Sequence, residues 1–244
     1  MRKKRIYADH AATAKIKESA LREMEACLEQ EYANPSSAYS FSRSIRKKLK
    51  GAREQIAAAI GAKPQEIYFT SGGSEADNQA IISAARWGER KGKKHIISTA
   101  FEHHAVLHTL DALKKEGFEI TLLDVHENGI VTAEEVAAAI REDTCLVTVM
   151  YANNEIGTVQ PIAEIGAVCR EKGVLFHTDA VQAVGHLHID VKAENIDMLS
   201  LSGHKFHGPK GIGVLYAKKG IRLENLIYGG AQERGKRAGT ENVP

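Results

Sequence analysis

Met198-Leu199-Ser200-Leu201, then Ser202-Gly203-His204-Lys205-Phe206-His207-Gly208-Pro209-Lys210-Gly211, then Ile212-Gly213-Val214-Leu215-Tyr216: this run decides how the chain folds. The two apolar runs at its ends read as short strands, joined by only about ten residues. That link is too short for a helical crossover, so the spacing predicts an antiparallel neighbour pair. The link holds one lysine, Lys205, between a Gly turn and a His-x-x-Gly-Pro turn. Such a lysine is either a solvated turn residue or an amine positioned to form an imine with an aldehyde, the second requiring a lowered pKa. The choice depends on what partners the rest of the chain supplies.

Working outward, five more strand-like runs precede these two: Ile67–Thr70, His95–Ser98, Ile120–Leu123, Leu146–Met150 and Val174–His177. Helical periodicity covers residues 74–90, 103–116, 133–141 and 162–172 between them, and residues 16–31 and 42–60 before them. Strands alternating with helices predict a three-layer α/β/α fold around a mostly parallel, mixed seven-stranded sheet. In such a sheet ligands bind beyond the carboxyl ends of the strands, so functional residues belong just after each strand.

The 244 residues are 43% apolar and 26% charged, enough for one large soluble domain with room for a piece of another. A formal net charge of +2, with short basic runs at Arg2-Lys3-Lys4-Arg5 and Arg46-Lys47-Lys48 that lack interleaved aromatics, argues against a nucleic-acid partner. No apolar run approaches a membrane span and no export signal follows Met1, so the expected location is the cytoplasm. Cys27, Cys145 and Cys169 are too widely spaced for a disulfide framework or a metal knuckle. Cys27 and Cys169 fall in helical runs and Cys145 precedes a strand; each reads as a structural thiol.

Four further stretches sit at strand ends. Thr70-Ser71-Gly72-Gly73-Ser74-Glu75-Ala76-Asp77 opens a helix; paired glycines admit a close ligand, and Ser74 with Asp77 reads as a capping-box-like start whose free N–H groups face an anion. Neither this turn nor Gly230-x4-Gly235-Lys236-Arg237 fits the dinucleotide or P-loop templates. Glu102-His103-His104 starts another helix, where His103 either caps it or stacks on a flat ligand. His104 and His108 share a helix face but lack a third ligand, so no metal is expected. Asn153-Asn154 after the fourth strand either make an Asx turn or donate to a ligand. His177-Thr178-Asp179-Ala180-Val181-Gln182 carries the clearest logic, because a carboxylate at the end of a buried strand needs a cationic partner. Together Lys205, Asp179, the Gly72-Gly73-Ser74 turn, His103, Asn154 and Gln182 match the needs of pyridoxal 5'-phosphate: an imine lysine, a carboxylate for the ring nitrogen, an anion site and groups that hold the ring.

With those residues in view the sequence resembles the cysteine desulfurases of the class V aminotransferase group. The resemblance rests on Tyr7-Ala8-Asp9-His10-Ala11-Ala12-Thr13, Asn34-Pro35-Ser36-Ser37, Phe69 to Glu75, Glu102-His103, Asn153 to Gly157, Asp179 to Gln182, Ser202 to Lys205, and Gly229 to Asn242. It implies the large domain of fold type I pyridoxal-phosphate enzymes and a homodimer with sites at the subunit interface. By position, Lys205 is similar to the imine lysine, Asp179 to the ring-nitrogen partner and His103 to the stacking residue. Asn154 and Gln182 match ring-side hydrogen bonders, Gly73, Ser74, Ser202 and His204 match phosphate contacts, and Thr240 matches the residue that reaches the neighbouring subunit's phosphate. The implied reaction takes sulfur from L-cysteine, leaves alanine, and passes the sulfur to an enzyme thiol for iron–sulfur cluster or thio-cofactor assembly.

The resemblance also sets expectations about extent. Residues 1–15 form an N-terminal segment and residues 16–244 the cofactor-binding domain, while the family's small domain and nucleophilic cysteine loop lie beyond Pro244; the chain alone is expected to release little sulfur. His10 stands where Asn is common, and Tyr39 and Ser42 where His and Gly are usual. Two other readings stay open: a neighbouring class V enzyme such as a selenocysteine lyase, and a non-catalytic scaffold or dimerisation module.

Overall fold

The structure, a computed structural model, describes residues 5–244, so Met1 and most of the first basic run lie outside it. Seven strands form one sheet: β1 (Ile67–Thr70), β2 (His95–Thr99), β3 (Glu119–Leu123), β4 (Thr144–Thr148), β5 (Leu175–Asp179), β6 (Met198–Ser202) and β7 (Gly213–Ala217). Their order is β1-β7-β6-β5-β4-β2-β3. Strands β2 to β6 run parallel, and β7 is antiparallel to both β6 and β1, as the short lysine link requires. The helices are α1 (Glu18–Gln30), α2 (Phe41–Ala59), α3 (Gly73–Glu89), α4 (His104–Lys115), α5 (Ala133–Ala139) and α6 (Ile162–Lys172). Every bound lies within two residues of the sequence expectation. One correction concerns Cys145, which stands inside β4 rather than before it, because Thr144 already pairs with His95 of β2.

The two-residue side-chain period of each strand divides the core into two layers. Ile96, Leu146, Met198 and Leu215 pack with Ala76, Ala80, Ile81 and Ala84 of α3 and with Leu110 and Leu113 of α4. Their neighbours Ile97, Val147, Leu199 and Val214 point the other way, toward Val136 of α5, Ile165 of α6 and Ala57 of α2. The central strands β4 and β6 are buried at every residue, whereas β3 at the edge is partly exposed along its length. This contrast is the usual one between a doubly covered parallel strand and an edge. Among the described residues no helix is long and apolar enough to cross a membrane, and all three cysteines are free and buried.

The other edge, β1, is fastened from outside the sheet. Glu233 sits in a turn where both it and Arg234 adopt positive φ, 44° and 57°. Its carboxylate accepts from both terminal nitrogens of Arg53, at 2.8 and 2.7 Å, and from the Phe69 N–H at 3.0 Å. Arg53 and Arg234 also donate to the free Ile67 carbonyl of β1. The Glu233 side chain is only 3% exposed, so removing its cation leaves a buried charge unpaired. Arg53→Ala is therefore expected to cost about 3–5 kcal/mol in urea unfolding, far more than a surface pair; a loss under about 1 kcal/mol would show the pair to be solvated.

Candidate active site

The carboxyl end of β5 places Asp179, 5% exposed, at the floor of a cavity of about 770 Å³. Its Oδ1 accepts from the Val181 N–H at 2.9 Å. Burial pushes its pKa up, and the Val181 N–H, His103 and Lys205 oppose that shift. The next strand, β6, ends at Ser202 and runs into a single 3-10 turn, Gly203–Lys205, which presents Lys205 to the same cavity. Burial lowers the Lys205 pKa, with Asp179 and Asp9 acting against it. The sequence condition for an imine-forming amine, a depressed pKa beside an aldehyde-sized space, is thus met in direction.

The third component is the start of α3. The N–H groups of Gly73, Ser74 and Glu75 find no acceptor among the described residues, as expected for the first turn of a helix. The turn that carries them is narrow. A Cβ on Gly73 would stand 2.7 Å from Val181 Cγ2, and one on Gly213 of β7 would stand 2.6 Å from the Gly72 Cα. The capping expectation needs correction here. Gly72, not Ser74, is the N-cap; Glu75 reaches back to accept from the Ser71 N–H at 2.8 Å, and Asp77 turns inward, 1% exposed. The paired glycines let the helix start before Ser74, so Asp77 falls one turn inside it. Glu75 is held in turn by Arg237, whose Nε donates at 2.9 Å.

Nine of the ten residues expected to hold the cofactor line this one cavity: Gly73, Ser74, His103, Asn154, Asp179, Gln182, Ser202, His204 and Lys205. Thr240 does not; it lines a separate hollow with Phe69, Ser71 and Arg237. The open alternatives resolve residue by residue. Asn153 makes the turn, its Oδ1 accepting from the Glu155 and Ile156 N–H groups, which frees Asn154 for the cavity. His103 caps α4, its Nδ1 accepting from the Ala105 N–H at 3.0 Å, and its exposed ring still borders the cavity. Among the described residues no cluster of three or more His, Cys, Asp or Glu side chains is disposed to hold a metal ion.

Comparison with known proteins places this geometry. The family model for aminotransferase class-V matches residues 6–244. The chain belongs to that family. This class-V chain is 55% identical over 98% of its length to a Clostridium botulinum protein named cysteine desulfurase IscS, and 58% identical over 98% to a Bacillus subtilis protein named putative cysteine desulfurase IscS 1. It spans 60% and 63% of their respective lengths. Among solved structures, a NifS-like protein superposes with a TM-score of 0.95 at 40% identity, covering 98% of this chain and 66% of that one. A structure described as SspA in complex with cysteine superposes with 0.94 at 44% identity, covering 97% and 69%. The mixed seven-stranded sheet is that of these NifS-like structures.

Two features of the class-V chain lie outside what the sequence reading assigned. Residues 9–17 strap the lysine loop: the Ala14 N–H donates to the His204 carbonyl at 2.8 Å and the Lys17 N–H to the His207 carbonyl at 2.9 Å. The Ala11 carbonyl accepts from both Lys205 Nζ and Gln182 Nε2. The motif Tyr7 to Thr13 marked this stretch without giving it a role. The second is Glu102, 5% exposed, which accepts from the Met150 N–H at 2.7 Å and from the Thr99 hydroxyl at 2.8 Å while its other oxygen has no partner. Burial pushes its pKa from 4.5 to about 8, the two hydrogen bonds holding it back. The folded state therefore keeps a proton that the unfolded state has lost, so this stabilising contribution is present below pH 4.5 and disappears as pH rises to about 8. Glu102→Gln is expected to flatten that fall, by up to about 4 kcal/mol between the two limits. Melting temperatures of the two proteins at pH 5 and pH 8 check it, and parallel pH curves would count against a buried neutral acid.

Proposed function

We propose that this chain is the cofactor-binding part of a pyridoxal-phosphate-dependent cysteine desulfurase, with residues 16–244 as its large domain and residues 1–15 as an N-terminal segment. The observation that carries the reading is the meeting of Lys205, Asp179 and the free N–H groups of α3 in one cavity. The residues fit the cofactor: a half-buried amine for an aldehyde, a buried carboxyl for a ring nitrogen, and unpaired donors in a glycine-lined turn for a phosphate.

When bound, pyridoxal phosphate supplies an aldehyde carbon and an electron-withdrawing ring. Lys205 Nζ would anchor the cofactor through that aldehyde and, as a half-buried amine, would move protons at the substrate carbon. Asp179 would pair with a protonated ring nitrogen, the cation that its own burial calls for. His103 would cover the ring, Asn154 and Gln182 would hydrogen-bond at its side, and Gly73, Ser74, Ser202 and His204 would take the phosphate. Thr240, outside the cavity, would serve the phosphate of a second subunit in a homodimer.

L-cysteine as substrate is supported by the names of the curated relatives and by the neighbour solved with cysteine. In the proposed reaction its sulfur passes to an enzyme thiol and alanine remains, the sulfur going on to an acceptor in iron–sulfur or thio-cofactor assembly. That thiol is none of Cys27, Cys145 and Cys169. All are buried, none lines the cavity, and burial pushes Cys145 and Cys169 up to about 12. Protein mixed with pyridoxal phosphate and freed of excess should carry a visible absorption band from the lysine-linked cofactor, and Lys205→Ala should lose it. A parent without the band, or a variant that retains it, would sink the reading.

A further inference from the structure

A second carboxyl is buried at the same floor without a cation. Asp77 of α3 is 1% exposed, lines the cavity, and has an Oδ1 with no hydrogen-bond partner. The groups that face it are the Ser200 hydroxyl on β6, the His177 imidazole on β5, and the carboxyls of Asp179 and Glu102. The His177 Nε2 lies 3.7 Å from Oδ1, but this is not an ion pair: burial drops the imidazole pKa to about 3, so the ring is neutral. Burial first, then the Asp179 charge, pushes Asp77 well above the usual carboxylate range, with the Ser200 hydroxyl acting against them.

We propose that Asp77 is a positioning residue that stands beside Asp179 as a neutral carboxylic acid, held by the buried row Ser200–His177–Thr148, so that Asp179 alone presents charge to a ring cation. The inference rests on the cofactor reading above for the identity of that cation. The row supplies the geometry. His177 Nδ1 is 2.8 Å from Thr148 Oγ1 and Nε2 is 3.0 Å from Ser200 Oγ, all three residues being fully buried. With its proton on Nδ1, His177 donates to Thr148 and accepts from Ser200. The Ser200 oxygen is then left to accept the acid proton of Asp77, and the row is complete with no buried charge in it. An ionised Asp77 would set two like charges on one floor against a single cation, the arrangement that keeps one of two adjacent carboxyls protonated. Asp77, with no cation beside it and the Asp179 charge against it, is the one that keeps its proton; Asp179, with the Val181 N–H and the Lys205 amine about it, is the one that gives it up.

Infrared spectra of the full chain without cofactor, and equilibrium titration with pyridoxal phosphate, test this in parallel. Asp77→Asn should lose one protonated-carboxyl C=O band, distinct from the band lost in Glu102→Gln. Ser200→Ala, which keeps the acid but removes its acceptor, should shift that band. Asp179→Asn should weaken cofactor affinity at least about tenfold more than Asp77→Asn does, since only the former removes a charge-assisted contact. An acid band unchanged in both Asp77→Asn and Ser200→Ala, or equal losses of affinity for the two aspartates, overturns the proposal. A parent that binds no cofactor overturns the cofactor reading instead, and the infrared bands still decide the protonation of Asp77.

Discussion

A carboxyl at the end of a buried strand is expensive to ionise, and the architecture around Asp179 follows from that cost. An uncompensated carboxylate in a protein interior loses several kcal/mol of hydration. Parallel pairing of β5 with β6 sets Asp179 opposite Ser200, and two residues later β6 ends at Ser202 and turns into the loop of Lys205. The sheet order therefore brings one buried acid and one half-buried amine to adjacent strand ends without any long-range steering by flexible segments. The α3 turn reaches the same place because β1 lies two strands from β6, with β7 between them. Gly213 at the start of β7 allows the Gly72 backbone to come that close.

The strand ends fix where the side chains begin, but the lysine link itself is irregular chain and needs holding. Two segments distant in sequence do this. Residues 14 and 17 hydrogen-bond to the carbonyls of His204 and His207, on either side of Lys205 and Phe206, and His207 Nδ1 returns a contact to the Lys15 carbonyl. On the opposite flank, the Glu233–Arg53 and Glu75–Arg237 pairs tie the chain near the C-terminus to β1 and to the first turn of α3. Both pairs join a partly or fully buried carboxylate to an arginine, the arrangement in which geometry rather than screened attraction decides the energy. Strain at Glu233 and Arg234 is tolerated there because their side chains are anchored at several points.

The sheet, its one antiparallel strand and nine of the cavity residues were legible in the sequence, because each depends on a local signal: a two-residue period, a short link, or a polar residue just past a strand. What escaped depends on tertiary packing. Glu233 lies in a Gly- and Arg-rich stretch with no period, and nothing local says that it is buried. Asp77 resembles part of a cap, since Ser74 three residues before it invites that pattern. A competing signal was present: Asp77, Ala80, Ile81 and Ala84 share one helical face, and all four are buried. That stripe, rather than the cap, is the signal that puts an acid in the core. Asn153 and Asn154 show the same limit, because adjacent residues of one type end in different places, one in the turn and one on the cavity wall.

The distribution of titratable groups also separates what this cavity does from what a sulfur transfer needs besides. Its floor has acids and its wall an amine, which suits holding a cationic ring and moving protons. A thiolate nucleophile needs the reverse, an accessible sulfur with its pKa lowered by neighbouring cations or a helix N-terminus. Cys145 lies within the sheet and Cys169 on the core face of α6, where burial acts in the wrong direction, and burial together with Glu31 raises Cys27 despite Lys48 Nζ at 3.9 Å. Nothing about the lysine loop would correct this, because the same burial that depresses an amine raises a thiol. Burial of this kind thus favours a neutral amine at Lys205 and works against a thiolate, which would need a cation or a helix N-terminus beside its sulfur.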